Sequence, residues 1–153
     1  MRIDVKTEQK KFWRIFDEKL IENGEPFSIL HEMAGNVTYW AVVNKKHSFV
    51  DNCLSIDFLV REKKIRINIY VRDNLLLFRV LENCREEIES MISVPVKWVK
   101  GTKNINTRRI IYEVPVNVGN FSNYDEVIDD ILPVIVEMKK VCDTYAKNQF
   151  FDF

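Results

Sequence analysis

Apolar residues recur along the chain in two rhythms, and the switches between them lay out eight elements. Phe12, Ile15, Phe16 and Leu20 repeat at helical spacing with Trp13 at the edge of the stripe, predicting a first helix from about Thr7 to Asn23. Gly24 suits its end, because glycine accepts the left-handed conformation past a helix terminus. Glu25 to Gly35 reads as a connector carrying Pro26. Three strands are expected next. Val37 to Val43 holds Tyr39 and Trp40. Cys53 to Val60 sets Leu54, Ile56, Phe58 and Val60 on one face, and Ile65 to Val71 does the same with Ile65, Ile67, Ile69 and Val71. The polar link Arg61-Glu62-Lys63-Lys64 makes these last two strands an antiparallel hairpin.

A second helix is expected up to about Ile92, capped by Asp73 or Asn74, with Leu77, Leu81, Cys84, Ile88 and Met91 as its stripe. Two strands follow, about Val94 to Val99 and Thr107 to Val114, joined by a polar hairpin over Gly101 to Asn106. The last helix begins near Ser122, whose spacing to Asp125 resembles a capping box. Pro133 lies inside its apolar run, so a kink or two stacked pieces is expected. The order is α-β-β-β-α-β-β-α. Strands with one apolar face call for helices on that face only. The expected fold is therefore α+β: a single domain over residues 1–153, with a five-stranded, mainly antiparallel sheet and helices packed on one face.

Composition changes this picture little. The chain has 153 residues, enough for a core, and supplies ten Phe, five Tyr and three Trp to fill it. Cys53, Cys84 and Cys142 are too scattered for a disulfide framework or a ligand set. The first residues lack a signal-peptide apolar region, and no stretch approaches the ~18 apolar residues of a membrane span. A reducing cytoplasm is the default expectation.

Several patches carry a resemblance: FWRIFDEKLIENGEPF from Phe12, Tyr39-Trp40, KKIRINIYV from Lys63, LFRVLENCREEIE from Leu77, VKWVKG around Trp98, and Arg109-Ile110 with Tyr112. Together with the element order they resemble the prokaryotic domain-of-unknown-function family 4268. The resemblance implies company rather than chemistry. Members often form the C-terminal part of longer proteins, some nuclease-like or restriction-associated, and others stand alone. The family pattern has no agreed catalytic residues to carry over. The ending NQFFDF departs from it.

Candidate chemistry is sparse. A nuclease core of the kind associated with some relatives needs an Asp and a Glu-x-Lys pair around a metal ion. Asp57 and Glu62-Lys63-Lys64 offer these residue types, but the spacing is short and the tripeptide falls in a turn, so a solvated charged turn is the preferred reading. His31 and His47 lie in expected loops without ligand partners, and Cys84 on an apolar stripe reads as an inert thiol. No catalytic or metal residue is assigned. No cofactor is expected either, because nicotinamide, flavin and ATP binding have no motif here.

Charge is distributed more tellingly. The 23 basic and 23 acidic residues cancel, yet they are not evenly spread. Val37 to Arg72 carries seven basic residues against three acids, and Lys97 to Arg109 carries five against none. The second and last helices carry an acidic excess. Arg66, Tyr70 and Arg72, joined by Arg109, would then stand on the open sheet face. Cations for phosphates with a ring for stacking is what a polyanion platform uses. The plainer reading is a solvated face whose lysines discourage edge pairing. The tail residues 148–153 carry Phe150, Phe151 and Phe153, which call for cover by the chain's own core, a second copy or a partner. Three readings compete: a non-catalytic protein-interaction or accessory module, a nucleic-acid-binding accessory domain, and a cryptic metal-dependent nuclease.

Overall fold

A computed structural model describes residues 4–23, 28–30, 39–43, 54–72, 75–101 and 107–150. Its elements are α1 (Val5–Asn23), β1 (Ser28–Leu30), β2 (Tyr39–Val43), β3 (Leu54–Leu59), β4 (Lys64–Arg72), α2 (Leu75–Asn83), α3 (Arg85–Met91), β5 (Lys97–Lys100), β6 (Thr107–Pro115) and α4 (Phe121–Phe150). The six strands form one sheet in the order β1-β2-β3-β4-β6-β5, and every neighbouring pair is antiparallel. The α+β class and the helices on one face are as the sequence implies. Among the described residues the strands number six, not five. Ser28-Ile29-Leu30 lies in the stretch read as a connector and pairs with Val43, Val42 and Ala41. Three residues are too few to show an alternation.

The β3–β4 hairpin turns through Val60, Arg61, Glu62 and Lys63. Lys63 takes the left-handed conformation (φ 56°), donates to the Val60 carbonyl at 3.2 Å and accepts from Val116 N–H at 3.0 Å. Strand β4 is central and pairs with β3 on one side and β6 on the other. Alternate residues Ile65, Ile67, Ile69 and Val71 are buried beneath the helices with Ile56, Phe58 and Ile110. Phe12 of α1 meets Phe58 of β3 at 4.6 Å between ring centres, and both meet Tyr124 of α4 at 5.6 Å. Trp13, placed at the edge of the stripe by the sequence, belongs to this core.

Three further expectations are corrected. The second helix is two, because Cys84 (φ −104°, ψ 19°) leaves the helical region between α2 and α3. No Gly or Pro marks the break. The last helix runs as one piece through Pro133, not as two stacked pieces. It is capped not by Ser122 but by Asn120, whose side-chain oxygen accepts from Asn123 N–H at 3.2 Å. The expected caps Asp73 and Asn74, together with His31, His47, Cys53 and Phe151 to Phe153, lie outside the described residues. Cys84 and Cys142 are half-buried.

Candidate functional site

The pleat decides which charged residues share a face. Cross-strand pairing puts Asp57 opposite Arg66 and Arg66 opposite Glu113. It also puts Asn68 between Ser55 and Ile111, and Tyr70 opposite Arg109. These residues alternate with the buried isoleucines of β4, so they occupy the face away from the helices. Val99 and Lys97 of β5 continue the same rows. The basic run from Lys97 to Arg109 is thereby divided. Arg108 goes to the other face, where its guanidinium lies 5.6 Å from the Phe78 ring.

Of the four residues expected to form a polyanion platform, Arg66, Tyr70 and Arg109 share this face. Arg72 stands in β4 opposite Thr107, but its side chain lies outside the described residues. The Arg109 guanidinium sits over the Tyr70 ring at 5.2 Å, a cation–π stack. Arg66 is engaged otherwise. Its Nε donates to Glu113 Oε2 at 3.0 Å, and Lys64 Nζ meets the same oxygen at 2.9 Å. Lys64, foremost, and Arg66 hold the Glu113 carboxyl below the usual carboxylate range.

The middle of the face is not open. Ser55 and Asn68 are 1% and 2% exposed. Asn68 Nδ2 donates to Asp57 Oδ2 at 3.1 Å and to Ser55 Oγ at 3.4 Å, while its buried Oδ1 has no partner among the described residues. These short side chains lie between longer ones in register. Burial pushes the Asp57 carboxyl up, against the hydrogen bond from Asn68 and the charges of Arg66 and Arg109. Sequence reasoning counted Asp57 and missed Glu113, Ser55 and the burial of Asn68. The alternation that found the strands also places these residues on one face, but only the cross-strand register brings Glu113 to Arg66.

The residues considered for a nuclease do not build one. Glu62 is exposed in the hairpin turn, Lys64 is engaged by Glu113, and Asp57 is surrounded by Asn68, Arg66 and Arg109. Among the described residues, no three His, Cys, Asp or Glu side chains gather as for a metal ion. No helix among them is long and apolar enough to cross a membrane. The C-terminal phenylalanines are only partly placed: the α4 backbone extends to Phe150, and its side chain is not described.

Comparison with known proteins gives a family and a distantly similar solved structure. The family model "Domain of unknown function (DUF4268)" matches residues 8–146. A solved structure, that of YbjN from E. coli, a protein named only provisionally as a transcription regulator, is similar over 88% of this chain and 93% of that one, at 9% identity and a TM-score of 0.47. At that score the likeness carries no argument. No curated protein sequence matches.

Proposed function

Because the chain belongs to the DUF4268 family, whose function is unassigned, we propose its role from the geometry: a non-catalytic binding or accessory module that engages another protein through the sheet face turned away from the described helices. The observation that carries this is the Glu113 carboxylate, which takes up Lys64 and Arg66 together. With Asp57 beside them, the face is of mixed sign rather than a cationic strip. A mixed-sign surface holding an ordered Arg–Tyr pair is suited to a protein partner, since Tyr and Arg are enriched where protein interfaces concentrate their binding energy.

The test is quantitative affinity purification from the source cells, alongside light scattering of the isolated chain. Wild type is compared with Tyr70→Ala and Arg109→Ala, each checked for native circular dichroism. A defined partner, or a second copy, should be recovered at least tenfold less with either variant. Equal recovery from both variants would remove this face from the interaction. A version without residues 150–153 tests whether the phenylalanine tail contributes.

A nucleic-acid-binding role keeps one observation in its favour, the Arg109–Tyr70 stack. Fluorescence anisotropy with single- and double-stranded DNA and RNA at low salt separates the two readings. Salt-sensitive binding that weakens in Arg109→Ala would favour the second. The metal-dependent nuclease reading is tested by incubation with Mg²⁺ and Mn²⁺, where cleavage abolished by Glu62→Ala would restore it.

A further inference from the structure

Away from the face that carries Arg66, Tyr70 and Arg109, a shallow cleft of about 250 Å³ opens between the start of α1 and the β3–β4 hairpin. Val5 and Gln9 line it from the helix, Phe58, Leu59 and Val60 from the strand and turn, and Arg61 and Glu62 from the turn. Its volume falls just under the ~300 Å³ at which small-molecule pockets usually begin, so it suits a fragment of one ring or a short chain. The walls are mostly apolar, and one polar group among them stands out.

Gln9 is 1% exposed, yet its amide nitrogen Nε2 has no hydrogen-bond partner among the described residues. A buried donor left unmade raises the free energy of the fold, and an acceptor brought to it returns that loss. The residue is held there by its place in the helix. Val5, Gln9, Phe12 and Phe16 follow one another at helical spacing, so Gln9 occupies a core position that an apolar residue would ordinarily fill. At the rim, Arg61 and Glu62 are both exposed and opposite in charge, so they do not select the sign of a ligand. Selection falls to the amide.

We propose that this cleft is a binding site for a small ligand with an apolar body and a carbonyl or carboxylate oxygen. The body lies against Val5, Phe58 and Val60, and the oxygen accepts from Gln9 Nε2. This does not depend on what the sheet face binds.

Benzamide, benzoate and toluene serve as probes in ¹⁵N-resolved NMR titrations of the full chain. They share a ring and differ in whether they carry an oxygen and a charge. Benzamide or benzoate should move the Gln9 side-chain amide signals saturably and bind at least tenfold more tightly than toluene. The comparison of the first two shows whether the natural ligand is neutral or anionic. Gln9→Leu keeps the bulk and removes the donor, so it should abolish the preference for an oxygen. If that variant misfolds, Val5→Phe, which narrows the cleft from outside the core, should weaken all three probes. The inference is overturned if the Gln9 signals do not respond, if toluene binds as tightly as benzamide, or if water exchange at the amide is undisturbed by every probe.

Discussion

Burial raises the Asp57 carboxyl above its ordinary value near 3.8, although Asn68 donates to it and Arg66 and Arg109 stand nearby. For an acid so shifted, the folded chain holds the proton over a pH window in which the unfolded chain has released it. The contribution of Asp57 to stability is therefore greatest below about 3.8, falls as pH rises toward the folded-state value, and is level above it. Asp57→Asn cannot ionise. Its unfolding free energy relative to wild type should rise across that window and then plateau, read by urea titrations from acid to neutral pH. A difference that does not change with pH would sink this account. Lys63 poses the opposite case, a backbone cost with no compensating burial. Its φ of 56° is a conformation that costs a side-chain-bearing residue about 1–2 kcal/mol, part of which glycine forfeits through its freer unfolded chain. Lys63→Gly should stabilise the hairpin by about 0.5–1 kcal/mol, seen as a higher denaturant midpoint at unchanged slope.

Helix α4 tests what a proline does within one continuous element. Pro133 cannot donate to the carbonyl one turn earlier, and its exposed ring makes no contribution to the core. Leu132 and Val134 beside it are buried, so the helix is retained by packing despite the lost bond. Pro133→Ala restores that bond while loosening the unfolded chain, for an expected gain of about 1–2 kcal/mol and a melting temperature higher by roughly 2–6 °C. A lower melting temperature would mean that packing uses a bend at this point. The same helix shows what sequence conveys about elements. Its apolar stripe of Val127, Ile128, Ile131, Ile135 and Met138 was legible because each is buried against the same neighbours at helical spacing. Continuity through Pro133 was not, because local rules cannot weigh a missing bond against tertiary contacts. The break at Cys84 left no mark for a related reason. Its amide still reaches the Val80 and Leu81 carbonyls, so the side-chain pattern runs on while the backbone departs.

Across the whole molecule the acidic and basic segments find one another. Lys19 of α1 meets Asp125 and Asp129 of α4 at 3.0 and 2.7 Å, and Glu113 of β6 takes Lys64 and Arg66 of β4. Charge read along the chain could not reveal this. Glu113 lies four residues beyond the basic run that ends at Arg109, and it becomes the neighbour of Arg66 only through the β4–β6 register. The strands, their faces and the sharing of one face by Arg66, Tyr70 and Arg109 were legible from period-two alternation. The carboxylate set among the cations of that face was not, because it is a property of pairing between segments some fifty residues apart. A direct consequence can be measured. Glu113→Gln leaves a group of the same size that no longer offsets two cations, and it should lower stability by at most about 1 kcal/mol, since the carboxylate is partly exposed. The face would then act as the cationic strip that the sequence suggests. Each phosphate newly neutralised steepens the salt dependence of duplex binding by about 0.9 in log–log slope, so two freed cations steepen it by up to about 1.8. On a heparin column the variant should elute at clearly higher salt than wild type, and its affinity for duplex DNA should rise at low salt. Adding Arg66→Gln to Glu113→Gln should return part of that gain. If wild type and Glu113→Gln elute together, this carboxylate does not offset the cations of the face, and the case for a protein partner over a polyanion loses its main support.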